Sequence, residues 1–225
     1  MSLQNAHASE RNDGHSLAFN LAAIAAMVLL LAVGTAYLID ELRRSGNVAA
    51  PRLEAGNPIN QTISGRELNI PASWFRYGEQ LEPGFTNQID LRISFVPTAS
   101  TAPLPVDITL LPRSRARSSA LLLDTVYLHQ FGEGMNESVP GLIGKPMAKA
   151  DGYQDETVWY DALSPNPFVA KCVDPVAPGT PAQCVRTVYL SSGIAATYAF
   201  DATALQSWRQ FDAEMERWLR RIGAW

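Results

Sequence analysis

Residues 16–39 (SLAFNLAAIAAMVLLLAVGTAYLI) contain no Asp, Glu, Lys, Arg or His, and this run constrains the chain more than any other feature. A helix rising about 1.5 Å per residue over such a length crosses the roughly 30 Å hydrocarbon core of a bilayer with some tilt. The expectation is a transmembrane helix at 16–39 after a short tail at 1–15, and no second run of this kind follows. A cleaved signal peptide is the alternative, but it calls for a shorter apolar stretch, a basic leader and a small-x-small cleavage site. Here Arg11 stands against Glu10 and Asp13, and the nearest cleavage candidate, Ala32-Val33-Gly34, lies inside the run. The lipid bilayer is therefore the first expected partner.

Two signals bear on orientation and point in opposite directions. Arg43, Arg44 and Arg52 follow the run while Arg11 alone precedes it, and the positive-inside bias then favours a cytoplasmic C-terminal part. The only two cysteines, Cys172 and Cys184, favour export. They flank VDPVAPGTPAQ, whose three prolines and one glycine make a loop, between FVAKCV and CVRTVYL. These flanking runs are rich in β-branched and aromatic residues, so the simplest reading is a hairpin with the cysteines facing each other. A disulfide there persists only in an oxidising compartment, and the alternative is two buried free thiols. Three lysines against fifteen arginines, a net charge of −4 and many Pro, Ser, Thr and Asn in the distal part suit an exported domain. The expected location is the bacterial inner membrane, single-pass, with the N-terminus cytoplasmic and the C-terminal domain periplasmic.

Residues 40–60 mix Gly, Pro, Asn and Ala without periodicity and read as a tether. A single soluble domain is expected at 61–225, a length that supports its own core. Residues 61–70 read as two short strands about Gly65, and 71–77 as a turn or short helix. In 87–96, Ile89, Leu91, Ile93 and Phe95 alternate with Asp90, Arg92 and Ser94, which predicts a strand with one apolar and one wet face; 106–111 is its expected partner. Residues 113–131 admit either a helix capped by Ser118 or Ser119 or a strand, and the helix is favoured. After a glycine-rich break at 132–144, the runs 157–162, 168–173, 184–190 and 194–200 predict an antiparallel meander.

The C-terminal segment predicts an amphipathic helix. Thr203 and Gln206 have capping-box spacing, and Leu205, Trp208, Phe211, Met215, Trp218, Leu219 and Ile222 recur at three- and four-residue steps. Such a stripe packs on a sheet; read otherwise, Trp208, Phe211, Met215, Trp218 and Ile222 offer an interaction surface for a membrane or a partner. The expected fold class is α+β: an N-terminal transmembrane helix, then one β-rich domain built as an antiparallel meander with a C-terminal amphipathic helix.

Chemistry is sparsely signalled. His129 is the only histidine beyond the apolar run, so neither a zinc site nor a histidine triad assembles from sequence. There is no G-x-S-x-G, phosphate-binding loop or Gly-x-Gly-x-x-Gly, and no cofactor, metal ligand or catalytic residue is assigned. A negative chain without a basic face gives no reason to expect nucleic acid. Arg113, Arg115 and Arg117 read as a solvated cluster, with an anionic ligand as the alternative. Within the apolar run, Ala18, Ala22 and Ala26 stand four apart and form a small-residue seam along which another helix can approach.

The short tail, single span, tether, the Ile-Pro-Ala-Ser-Trp-Phe-Arg element at 70–76, the alternating 89–95 strand and the Cys172/Cys184 hairpin together resemble a group of uncharacterised bacterial membrane-anchored envelope proteins. The resemblance implies an envelope location and brings no catalytic residues with it. Two function classes follow. One is a non-enzymatic accessory, assembly or interaction factor that contacts other inner-membrane or envelope proteins. The other is an anchored envelope hydrolase using two carboxylates among Asp124, Glu133, Glu137, Asp151, Asp155, Glu156 and Asp161.

Overall fold

The computed structural model describes residues 14–45, 57–98, 102–148, 155–175 and 179–225; within the first helix it describes side chains at 19 and 21–36. The chain divides into two compact units, Met1–Ala49 and Ala50–Trp225.

The first unit contains helix α1, Gly14–Ser45. It runs six residues further than the apolar stretch because Glu41, Leu42, Arg43 and Arg44 favour helix and Gly46, which follows Ser45, is the first strong breaker in the sequence after that stretch. Every described side chain of α1 is exposed, including Phe19, Ile24, Leu30 and Leu31. Thr35 Oγ1 donates to the carbonyls of Leu31 (2.8 Å) and Ala32 (3.0 Å), so its hydroxyl is satisfied by the helix's own backbone. Among the described residues, no helix is long and apolar enough to cross a membrane. The consecutive described side chains, 21–36, cover about 24 Å of helix at 1.5 Å per residue, and the remainder of the expected 16–39 span lies outside them.

The second unit is an α+β domain. Strands β1 (Pro58–Ile63) and β2 (Arg66–Pro71) form a hairpin with Ile63 opposite Arg66. Ser64 and Gly65 both take positive φ (52° and 73°), the two-residue turn whose twist matches the flanking strands. Strand β3 (Gly84–Phe85) pairs parallel to β1 and completes a small sheet ordered β2-β1-β3. A 3-10 turn at Ala72–Trp74 then drives Trp74 into the core.

The main sheet comprises β4 (Ile89–Phe95), β5 (Leu104–Pro112), β6 (Ile143–Pro146), β7 (Glu156–Tyr160), β8 (Val169–Val173), β9 (Gln183–Tyr189) and β10 (Ile194–Asp201). Their order is β4-β5-β10-β9-β8-β7-β6, every neighbour antiparallel. The meander expected from 157–200 is therefore present, and β6 extends it from inside the segment read as a break. Gly144 permits this extension: a Cβ there would stand 2.8 Å from the Trp159 ring, which lies across the strand. On β4 the apolar face is as predicted, but the opposite face is not simply wet. Asp90 is buried and accepts from Gln80 Nε2 (3.1 Å), Gln88 Nε2 (2.8 Å) and Thr109 Oγ1 (2.7 Å). These donors come from residues close in space and scattered in sequence, so alternation alone does not reveal them.

The ambiguous 113–131 segment is helical in pieces. Arg113–Arg115 and Tyr127–His129 are 3-10 turns, and α2, Ser119–Thr125, is capped by the Ser118 side chain, which accepts from Leu121 N. The last helix, α3, is Trp208–Arg221, entered through a 3-10 turn at Ala202–Ser207. Thr203 is not the cap: Asp201 accepts from Thr203 N (2.8 Å) and starts the turn, because the carboxylate sits where the strand ends and the amides need an acceptor.

Layers form on both faces of the main sheet. Against α3, Phe211 meets Phe200, Phe95 and Tyr198 with ring centroids 4.5, 5.3 and 5.8 Å away. Trp208 lies 5.3 Å from Phe168, and Trp218 lies 6.4 Å from Trp74. A second buried cluster joins Leu123 of α2 to Met147, Val158 and Val169.

Cys172 and Cys184 are bonded and face each other across β8 and β9. The cross-link closes a loop of about this size at a cost to the unfolded chain worth roughly 3 kcal/mol. Replacing both cysteines with Ala in the full chain is expected to lower the melting temperature by roughly 6–12 °C for a domain of this size. An unchanged melt, or free thiol found by labelling the denatured protein purified without reductant, would contradict a structural role.

Candidate functional site

Pairing between β8 and β9 spans only Val173–Gln183, Cys172–Cys184 and Lys171–Val185. Beyond Val185 the two strands part, and β9 runs on through Tyr189 with its backbone open on that side. The start of α2 and the segment before it close the fork. Ser119 Oγ accepts from Thr187 N (2.8 Å), and Tyr189 donates to the Ala116 carbonyl (2.9 Å). Arg113 covers the Tyr189 ring at 4.2 Å. On the α3 side, Arg186 fills the fork: Nη1 donates to the Val169 carbonyl (3.3 Å) and the guanidinium lies 4.3 Å from the Phe168 ring. A cleft of about 310 Å³ opens here, with Arg186, Tyr198, Asp212, Glu216 and Trp225 among its walls.

Arg186 and Asp212 form a two-pronged ion pair, Nε to Oδ1 at 3.0 Å and Nη2 to Oδ2 at 2.8 Å. The arginine side chain is 8% exposed, whereas the aspartate keeps 35% of its surface accessible. Desolvation raises the Asp212 carboxyl above its usual range; the Arg186 charge and hydrogen bonds pull it back, and Glu216 adds to the rise. Tyr198 is 1% exposed. Burial drives its phenol well above the normal value, Asp212 reinforces the effect, Arg186 opposes it and Glu216 adds again, so Tyr198 stays protonated. Tyr198 lines the cleft, and its hydroxyl makes no hydrogen bond among the described residues. At the cleft's edge Glu216 accepts from Arg220 Nε (2.9 Å), and Arg220 in turn lies 5.3 Å from the Trp225 ring. This arrangement is suited to holding a polar group: both Asp212 oxygens are engaged by Arg186, and the phenol is a neutral donor and acceptor.

The residues singled out by sequence are placed as follows. Cys172 and Cys184 form the cross-link beside the fork. Trp208, Phe211, Met215, Trp218 and Ile222 are all buried in the domain's own core, so that stripe is covered by the sheet rather than open. Ala22 and Ala26 are exposed on α1, and Ala18 lies outside the described side chains. His129 is exposed at the end of a 3-10 turn, and Asp124, Glu133, Glu137 and Asp155 are exposed as well. Glu156 is paired with Lys171 Nζ (3.1 Å), Asp161 accepts from Leu163 N (3.0 Å), and Asp151 lies outside the described residues. Of the arginine cluster, Arg113 rests on Tyr189 and Arg115 donates to the Asn87 carbonyl (3.2 Å). Among the described residues, no three His, Cys, Asp or Glu side chains gather as a metal site.

Arg186, Tyr198, Asp212 and Glu216 were not singled out. Two signals were legible: an arginine inside the apolar run CVRTVYL, and two acids four apart beside the α3 stripe. Neither signal reveals that the two elements meet.

The domain's class is an α+β antiparallel sheet covered by a C-terminal helix. This architecture is shared with a solved structure, Smlt3025, described as an immunity protein of the Stenotrophomonas maltophilia type IV secretion system. The TM-score is 0.52 at 13% sequence identity, over 74% of this chain and 93% of that one, a likeness of fold. No family model and no curated protein matches the chain.

Proposed function

We propose that the chain is a single-span, membrane-anchored envelope protein whose exported domain works by binding another protein, in the manner of an immunity protein, and belongs with the uncharacterised envelope proteins its layout resembles. The fold likeness to an immunity protein across nearly the whole of that neighbour carries the reading. The Cys172–Cys184 bond supports an oxidising compartment. The exposed apolar side chains of α1 support a lipid-facing segment, since a surface of this kind is stable only when covered.

The test has two parts. Alkaline phosphatase fused after Trp225 is expected to be active and green fluorescent protein fused there dark; the reverse would overturn the topology. Cells deleted for the chain are expected to be outcompeted by parental siblings that carry an active secretion system, and a plasmid copy is expected to restore parity. If the deleted cells compete equally, the immunity role is wrong.

A further inference from the structure

We propose that the cleft between the β8–β9 fork and α3 is a binding site for an organic cation, an ammonium or guanidinium group that lodges against the Tyr198 hydroxyl and the carboxylates of Glu216 and Asp212. Three observations carry this. The first is a free polar group: Tyr198 is 1% exposed and lines the cleft, and its hydroxyl has no partner among the described residues. A nearly buried phenol whose one polar atom is left free at a cleft wall offers a donor and an acceptor to whatever enters. The second is the supply of acceptors. Asp212 keeps 35% of its surface accessible with lone pairs left over after Arg186, and Glu216 Oε1 is the only one of its oxygens taken, by Arg220. The third is size: about 310 Å³ is at the lower end for small-ligand pockets and suits one linear amine or one side chain.

Charge decides the sign of the guest. Arg186 is spent on Asp212 and the Val169 carbonyl. The two other arginines near the cleft are also engaged, Arg220 on Glu216 and Trp225, and Arg113 on Tyr189. Glu216 Oε2 has no partner among the described residues, so the free valence at the cleft's edge is an acceptor. A donor-rich cation reaches the phenol oxygen and the spare carboxylate lone pairs together, whereas an anion would have to compete with Asp212 and Glu216 for arginines already paired.

The guest comes either as a free amine or as a lysine or arginine side chain of a bound protein. The second source rests on the protein-binding reading above, and the first does not. Full-length chain in detergent micelles would be titrated by ligand-detected NMR with n-butylammonium, guanidinium, Nα-acetyl-lysine methylamide and Nα-acetyl-arginine methylamide, with acetate as the anionic control. Saturable binding of ammonium or guanidinium probes is expected, weakened about fivefold by Glu216→Gln and by Tyr198→Phe, the equivalent of about 1 kcal/mol for each lost contact. Glu216 is half-exposed on α3, so its variant keeps the test valid should Tyr198→Phe fail to fold. Butylammonium binding without the capped residues supports the free-amine source; capped residues binding at least as tightly support a side chain. No binding by any cationic probe, binding indifferent to Glu216→Gln, or tighter binding of acetate overturns the proposal. Such a failure alongside intact protection in co-culture would overturn the cleft assignment alone.

Discussion

Phe211→Ala is expected to destabilise the domain by about 3–5 kcal/mol, the range for truncating a buried aromatic ring. Phe211 is 1% exposed and stands at the centre of the layer between α3 and the main sheet, in ring contact with Phe95, Tyr198 and Phe200. Removing it leaves a cavity bordered by β4 and β10, which sheet hydrogen bonding holds in place, so the site has little freedom to collapse. A loss of this size is a large part of the roughly 5–15 kcal/mol that a domain commands. Thermal or denaturant unfolding of the full chain, followed by near-ultraviolet circular dichroism, measures it. A variant that melts like its parent would mean that α3 contributes little to the core and that its stripe is free to serve as an interaction surface.

Asp212→Ala is expected to cost about 3–5 kcal/mol as well, for a different reason. It strands the Arg186 guanidinium, 8% exposed, with only the Val169 carbonyl and the Phe168 ring as company. The converse deletion is milder on electrostatic grounds, because Asp212 has 35% of its surface accessible and water reaches it. Replacing both partners together, Arg186→Met with Asp212→Leu, is expected to recover most of the loss, since the desolvation of two charges disappears along with their attraction. Unfolding measurements on the single and double variants form the cycle. A double variant as unstable as Asp212→Ala would show that the pair's worth lies in geometry that Met and Leu cannot imitate.

Where the chain's own neighbours decide conformation, the structure was legible beforehand. Alternating Ile89, Leu91, Ile93 and Phe95 had to be a strand with one face inward, and the α3 stripe had to be a helix, because periods of two and of about 3.6 leave unmistakable spacing. The cysteine hairpin was readable for the same reason: a proline-rich loop between two β-prone runs brings its ends together. The helix cap was misplaced by two residues. Capping-box spacing at Thr203 and Gln206 suggested one start, while Asp201, the last residue of β10, supplies the acceptor. Which acceptor wins there depends on where the strand ends, and that is settled by its pairing partner.

Local sequence determined the apolar run at 16–39, the strand and helix periodicities, the Ser64-Gly65 turn and the pairing of the two cysteines. Tertiary structure alone decided that β5 lies beside β10, that β8 and β9 separate after Val185, and that Arg186 on β9 meets Asp212 on α3. The physical reason is range. Propensity, capping and hydrophobic period act over a few residues, whereas the cleft is built by burial and charge pairing between segments that only the completed sheet brings together.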